Sequence, residues 1–154
     1  MIPCDFRVKV RGPVFERTAL AGLLRKLPCK PVSDENSEIV VSLETILPSQ
    51  SHERQCYFWA EPGFLDEREH ELWITGSMRD APPLGLIMSL AQRFPSLTFD
   101  CVSETNGELL EHWRAGPQRA DCELIESWFL KPQTDGRRDS FLKEGEVSVF
   151  NQAG

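Results

Sequence analysis

Residues 71–107 read ELWITGSMRDAPPLGLIMSLAQRFPSLTFDCVSETNG, and this stretch decides the fold. From Glu71 to Met78 the side chains alternate, with Leu72, Ile74 and Gly76 on one side and Trp73, Thr75 and Ser77 on the other. That two-residue period predicts a half-buried strand. Pro82-Pro83 fix φ and open a helix, Leu84, Leu86, Ile87, Leu90 and Ala91 give it an apolar stripe, and Phe94-Pro95 ends it. Leu97, Phe99 and Cys101 alternate as the next strand. Asn106-Gly107 is the preferred dipeptide of a two-residue type I′ turn, so Glu108 to Arg114 is expected to return as an added strand before Gly116-Pro117 breaks it.

Upstream, Asp5 to Arg11 alternates, with Phe6, Val8 and Val10 on one face and Asp5, Arg7, Lys9 and Arg11 on the other. Gly12-Pro13 punctuates that strand. Val14 to Leu27 then places Leu20, Leu23, Leu24 and Leu27 at helical spacing, and Pro28 stops the helix. Lys30 to Ser37 reads as a polar loop, and Glu38 to Leu47 as a strand with Ile39, Val41 and Leu43 in alternation. Cys56-Tyr57-Phe58-Trp59 is either an inserted strand or a flap. The order β-α-β-β-α-β is that of a ferredoxin-like split βαβ sandwich of the α+β class, with two helices on one face of an antiparallel sheet and a hairpin added at one edge. Leu124 to Leu130 reads as a strand or a short helix whose Trp128-Phe129 needs burial, and Val147 to Phe150 as a late strand. The expected organisation is one domain over residues 1–130 and a partly flexible C-terminal extension over 131–154.

The 154 residues are enough to bury roughly two-thirds of the unfolded surface in a single domain. Five cysteines, odd in number and without a CxxC pair, suggest neither a disulfide framework nor a zinc ribbon. The longest apolar run, Leu84 to Ala91 with one serine, is far short of a membrane span. A soluble protein of the reducing cytoplasm, without membrane, metal or cofactor, is the expectation. The formal net charge of −7 repels phosphate backbones and suits a basic partner.

Several features together resemble the YubB-type ferredoxin-like domains of plasmid and phage proteins of unknown function. These are Pro3-Cys4 before the first strand, Ile46-Leu47-Pro48 closing the second, Trp59 in the central segment and Ala81-Pro82-Pro83 before a helix. Phe94-Pro95-Ser96-Leu97-Thr98-Phe99 and an acidic residue ahead of Gly107 complete them. The resemblance spans about Pro3 to Gly116. It implies the fold and a bacterial or mobile-element setting, and it carries no functional residue across.

Candidate chemistry is sparse. His70 in Glu67-Arg68-Glu69-His70-Glu71, even with His52-Glu53, fits no metal-ligand spacing and reads as a solvated charge run. His112, near Glu108 and Glu111, has the composition of a general base but no nucleophile beside it, and reads as a surface histidine. Cys101 lies on the apolar register and should be inert, and Cys4, Cys29 and Cys122 lack activating neighbours. Nucleotide-loop, hydrolase-elbow and calcium signatures are absent.

A sheet that stacks RNA bases needs aromatics on both central strands. Here one strand offers Trp73 and the other Arg7, Lys9 and Arg11, opposite Asp100 and Glu104, which should pair with those bases across strands. The favoured expectation is therefore a small non-catalytic module that contacts another protein with a basic surface. Its anchors would be either the sheet face around Arg7, Lys9 and Trp73 or an aromatic patch with Trp59 and Trp113, with His112 also among the expected interface residues. A single-stranded nucleic-acid binder is the second expectation, and an enzyme with a dispersed site the third.

Overall fold

The computed structural model describes residues 2–31, 38–47, 55–59, 65–118 and 121–130. The elements run β1 (Pro3–Arg11), α1 (Val14–Arg25), β2 (Cys29–Pro31), β3 (Glu38–Ser42), β4 (Gln55–Trp59), β5 (Leu65–Glu67) and β6 (Glu71–Arg79). They continue with α2 (Leu84–Arg93), β7 (Thr98–Thr105), β8 (Leu109–Ala115) and β9 (Glu123–Phe129). The chain is α+β, with one antiparallel sheet in the order β2-β3-β4-β6-β1-β7-β8-β9 and β5 paired to β6.

β1 is central because both of its edges are paired along nearly their whole length, Val8 lying between Ile74 of β6 and Cys101 of β7. The alternation read from the sequence is the alternation of burial. Phe6, Val8, Val10, Leu72, Ile74, Phe99 and Cys101 are almost wholly buried and form one core with Leu20, Ala21 and Leu24 of α1 and Leu86, Ile87, Leu90 and Ala91 of α2. Each large aliphatic or aromatic side chain removed from water there contributes about 1.5–3 kcal/mol, so this core outweighs any surface ion pair.

The helices start and stop where the prolines place them. The Arg17 amide donates to Pro13 O and that of Ile87 to Pro83 O, while the Phe94 amide closes α2 on Leu90 O. Asn106 and Gly107 both take positive φ, 56° and 67°, as a type I′ turn requires, but Thr105 pairs with Leu109, so the hairpin loop is the three residues 106–108 and the return strand begins at Leu109, not at the expected Glu108. Two other glycines serve close packing. Gly12 (φ 139°) and Gly116 (φ 71°) flank buried Leu97, and a Cβ on Gly116 would collide with the Leu97 carbonyl oxygen.

Four other expectations change. The strand directly beside β6 is β4, so Cys56 to Trp59 is an inserted strand, and the Glu38 strand is one place further out. That strand ends at Ser42, where the chain turns and buries Leu43, Ile46 and Leu47 in the core. Cys29–Pro31, overlapping the expected Lys30 to Ser37 loop, and Leu65–Glu67, at the start of the charge run, are short strands paired with β3 around Val41 and with β6 around Leu72; three-residue strands carry no periodic signal. Leu124 to Leu130 resolves as strand β9, shifted by one residue. Residues 131–154, including the expected strand at Val147 to Phe150, lie outside the described residues, and no described helix is long and apolar enough to cross a membrane.

Candidate functional site

The sheet face opposite the helices carries a row of charges whose placement follows from register. Lys9 lies between Trp73 and Asp100, and Arg114 lies beyond Asp100. Trp73 is the hub of one half. Its Nε1 donates to Glu71 Oε1 at 2.7 Å, and the Arg68 and Arg7 guanidinium carbons stand 3.7 and 4.6 Å from its ring centroid. Lys9 Nζ is 5.9 Å from the same ring and 3.2 Å from Glu71 Oε2. Burial alone would raise the Glu71 carboxyl, but the Trp73 N–H, Lys9 and Arg11 outweigh it and hold the group below the ordinary carboxylate range.

Arg68 is held in place from below. Arg17, only 7% exposed, donates from Nε to Gly12 O at 3.0 Å, from Nη1 to Arg68 O at 3.2 Å and from Nη2 to Glu69 O at 3.0 Å. One buried guanidinium thus ties the end of β1 and the β5–β6 turn to α1, using the planar fork that lysine lacks.

Asp100 is the hub of the other half. Its Oδ1 is 2.8 Å from His112 Nε2 and accepts from Arg114 Nε at 2.8 Å. Desolvation pushes the Asp100 carboxyl up, yet the hydrogen bonds and charges of His112 and Arg114 prevail and hold it below its ordinary value. Asp100 and His112 are 1% and 2% exposed. A carboxylate–imidazole pair is the geometry of a general base, but a substrate atom would first have to displace the side chains that cover this one.

These positions correct much of the sequence-derived site. His112 is buried against Asp100 and is not a surface histidine, and neither Glu108, which lies in the turn, nor Glu111, on the opposite face, is its partner. Lys9 is 9% exposed, and the Trp73 ring already carries two guanidinium groups, so neither presents a free face. The register sets Asp100 against Lys9, as expected, but Glu104 falls opposite Asp5 and not opposite a basic residue, and the close ion pairs of Lys9 and Asp100 run to Glu71, His112 and Arg114.

Trp113 packs against the main core on the helix side, and Trp59 is on β4, four strands away or about 19 Å at 4.8 Å per strand. His112 and Trp113 lie on opposite faces of β8, and the Trp59 side chain lies outside the described residues. The cysteine reading agrees with the environment: burial pushes the Cys4 thiol up to about 11 and Cys101 well above its ordinary value.

What sequence reasoning missed is the outer edge. β9 is the last strand on its side of the sheet among the described residues, and Leu124, Ile125 and Phe129 are 43%, 38% and 80% exposed. Trp128 packs on Val102 and Leu110, satisfying half of the Trp128-Phe129 pair, and Phe129 points away to the helix-side face with Leu109. The pair register jumps between His112 and Trp113, leaving Ile125 as the extra residue of a bulge. The alternation in Leu124 to Leu130 is weak for that reason. The second exposed apolar spot, Val14 and Phe15 at the start of α1, is at 64% and 82%. Neither a protein-family profile, nor a curated protein, nor a solved structure matches this chain.

Proposed function

We propose that the protein is a small non-catalytic binding module that acts by contacting another protein, built on a ferredoxin-like split βαβ frame with an extended outer edge. The observation that carries this reading is β9, a seven-residue outer strand that exposes Leu124, Ile125 and Phe129 along its length and has an edge on which no described strand lies. Exposed apolar side chains with an aromatic member are what interfaces use as anchors. The acidic balance of the chain suits a basic partner, and the YubB-type resemblance suggests a bacterial mobile-element or defence setting.

The nucleic-acid reading is not favoured, because base stacking needs an open aromatic face and Trp73 is covered by Arg68 and Arg7. The enzyme reading rests on His112 and Asp100, which are buried.

The test is copurification from the native host with wild-type protein, Phe129→Asp and, as control, Phe15→Asp, which changes an equally exposed phenylalanine elsewhere. A stoichiometric partner lost with Phe129→Asp and kept with Phe15→Asp is the expected result. A partner indifferent to both changes, or binding of single-stranded oligonucleotide that falls steeply with salt and vanishes in Trp73→Ala, refutes the reading.

A further inference from the structure

From the charge and face pattern of β9 we infer that its partner is a basic, extended segment of another protein, which joins the sheet as an additional strand; this rests on the binding-module reading above. The register of β9 against β8 sorts its side chains. Leu124, Ser127 and Phe129 share the helix-side face with Trp113, Glu111 and Leu109, while Glu123, Glu126 and Trp128 share the other face with Arg114, His112 and Leu110. An extended segment laid along β9 therefore meets Leu124 and Phe129 on one face and Glu123 and Glu126 on the other. On each side of the Ile125 bulge the complementary sequence alternates apolar residues with Lys or Arg, the period that strand geometry imposes.

Seven residues at about 3.3 Å each give an edge of roughly 23 Å, enough for main-chain pairing to supply affinity while alternate side chains supply selectivity. No described helix covers this strand's outer side, and Phe129 and Leu124 stand exposed beside it. The main strand contacts of α2 are with β7 and β8.

The charges also argue against a second copy of the chain as occupant. An antiparallel pairing about the strand's centre sets Glu126 against Glu126, and a parallel one in register sets both Glu123 and Glu126 against their equals. Like charges directly opposite destabilise a pair, and each copy adds a formal −7. Glu123 and Glu126 thus repel the protein's own edge and attract a basic one.

The test uses three capped synthetic peptides: alternating Lys and Val, alternating Glu and Val, and the Lys-Val peptide N-methylated at every second backbone nitrogen. Binding is read by fluorescence polarisation and by amide hydrogen exchange of residues 123–129, alongside sedimentation of the free protein. The Lys-Val peptide is expected to bind at least about tenfold more tightly than either of the others, a difference near 1.4 kcal/mol, and to slow exchange in β9. Glu123→Lys/Glu126→Lys, at two exposed positions that leave the core intact, is expected to reverse the preference between the Lys and Glu peptides.

Equal affinity for the Lys and Glu peptides overturns the basic partner, and indifference to N-methylation overturns strand addition. A dimer that Phe129→Asp dissolves overturns both in favour of a second copy. Absence of binding by any peptide at about 1 mM overturns this inference while the copurification result still decides the binding-module reading separately.

Discussion

Asp100→Asn is the change whose consequences the structure defines most fully. The wild-type carboxylate is 1% exposed and receives two charge-assisted hydrogen bonds at 2.8 Å, from His112 and Arg114, with Lys9 opposite it on β1. Hydrogen bonds to charged groups contribute about 1.5–3 kcal/mol each, and breaking a buried ion pair costs about 3–5 kcal/mol. Asparagine keeps one acceptor oxygen in place, and Arg114, a third exposed, regains some water. The expected net loss at pH 7 is therefore about 2–3 kcal/mol, which at an m-value of about 2 kcal/mol/M lowers the urea midpoint by about 1–1.5 M.

Tryptophan fluorescence during urea titration measures it, with Glu69→Gln at an 87% exposed side chain as the control. The pH dependence has a fixed sign. Because the folded pKa of Asp100 is depressed, its contribution is fully present above the unfolded value near 3.9 and is lost as pH falls through the folded value. The gap between wild type and variant should thus narrow below about pH 4. A loss at pH 7 under about 1 kcal/mol, or equal to that of the control, refutes the assignment of Asp100 as hub of this cluster.

Three further outcomes are expected. Gly116→Ala, forced to positive φ and driven into the Leu97 carbonyl, should cost at least about 2 kcal/mol in the same titration, whereas Gly22→Ala, with open space around it inside α1, should be neutral or stabilising by up to about 1 kcal/mol. Arg17→Met leaves three backbone carbonyls without their donor and should lower stability by about 2–4 kcal/mol, with faster amide exchange at residues 68–71 as the local signature. A thiol reagent applied to the native protein should label exposed Cys29 and leave Cys4 and Cys101 unmodified until denaturant is added, as peptide mapping by mass spectrometry will report.

The parts of the fold legible in the sequence are those with a full period. β1 and β6 alternate over nine residues, Leu97, Phe99 and Cys101 give β7 a shorter alternation, α1 and α2 have continuous apolar stripes, and prolines and Asn106-Gly107 mark their ends. Short strands such as β2 and β5 exist because a longer neighbour pairs with them, and nothing local announces that. The site was less legible. A two-residue Asn106-Gly107 turn would pair Thr105 with Glu108 and put Asp100 opposite Trp113; the extra loop residue Glu108 is what brings Arg114 opposite Asp100 and His112 diagonal to it, so the turn signature alone does not give the cluster. The exposure of Phe129 was no more legible, since it follows from where the sheet stops.

By itself, the sequence determined which face of each long strand enters the core and which bears charge, because a side-chain period of two leaves no other choice once one face is apolar. It equally indicated that Cys4, Cys29, Cys101 and Cys122 lack activating local neighbours. Only the tertiary structure decided the order of the strands, and with it that Arg7 and Arg68 occupy the Trp73 ring, that His112 is sealed against Asp100, and that β9 is left at the rim. The physical reason is that strand partners, ring stacking and burial are relations between residues distant in the chain, from Arg7 and Trp73 to Asp100 and His112, and local chemistry does not encode which distant neighbour will arrive.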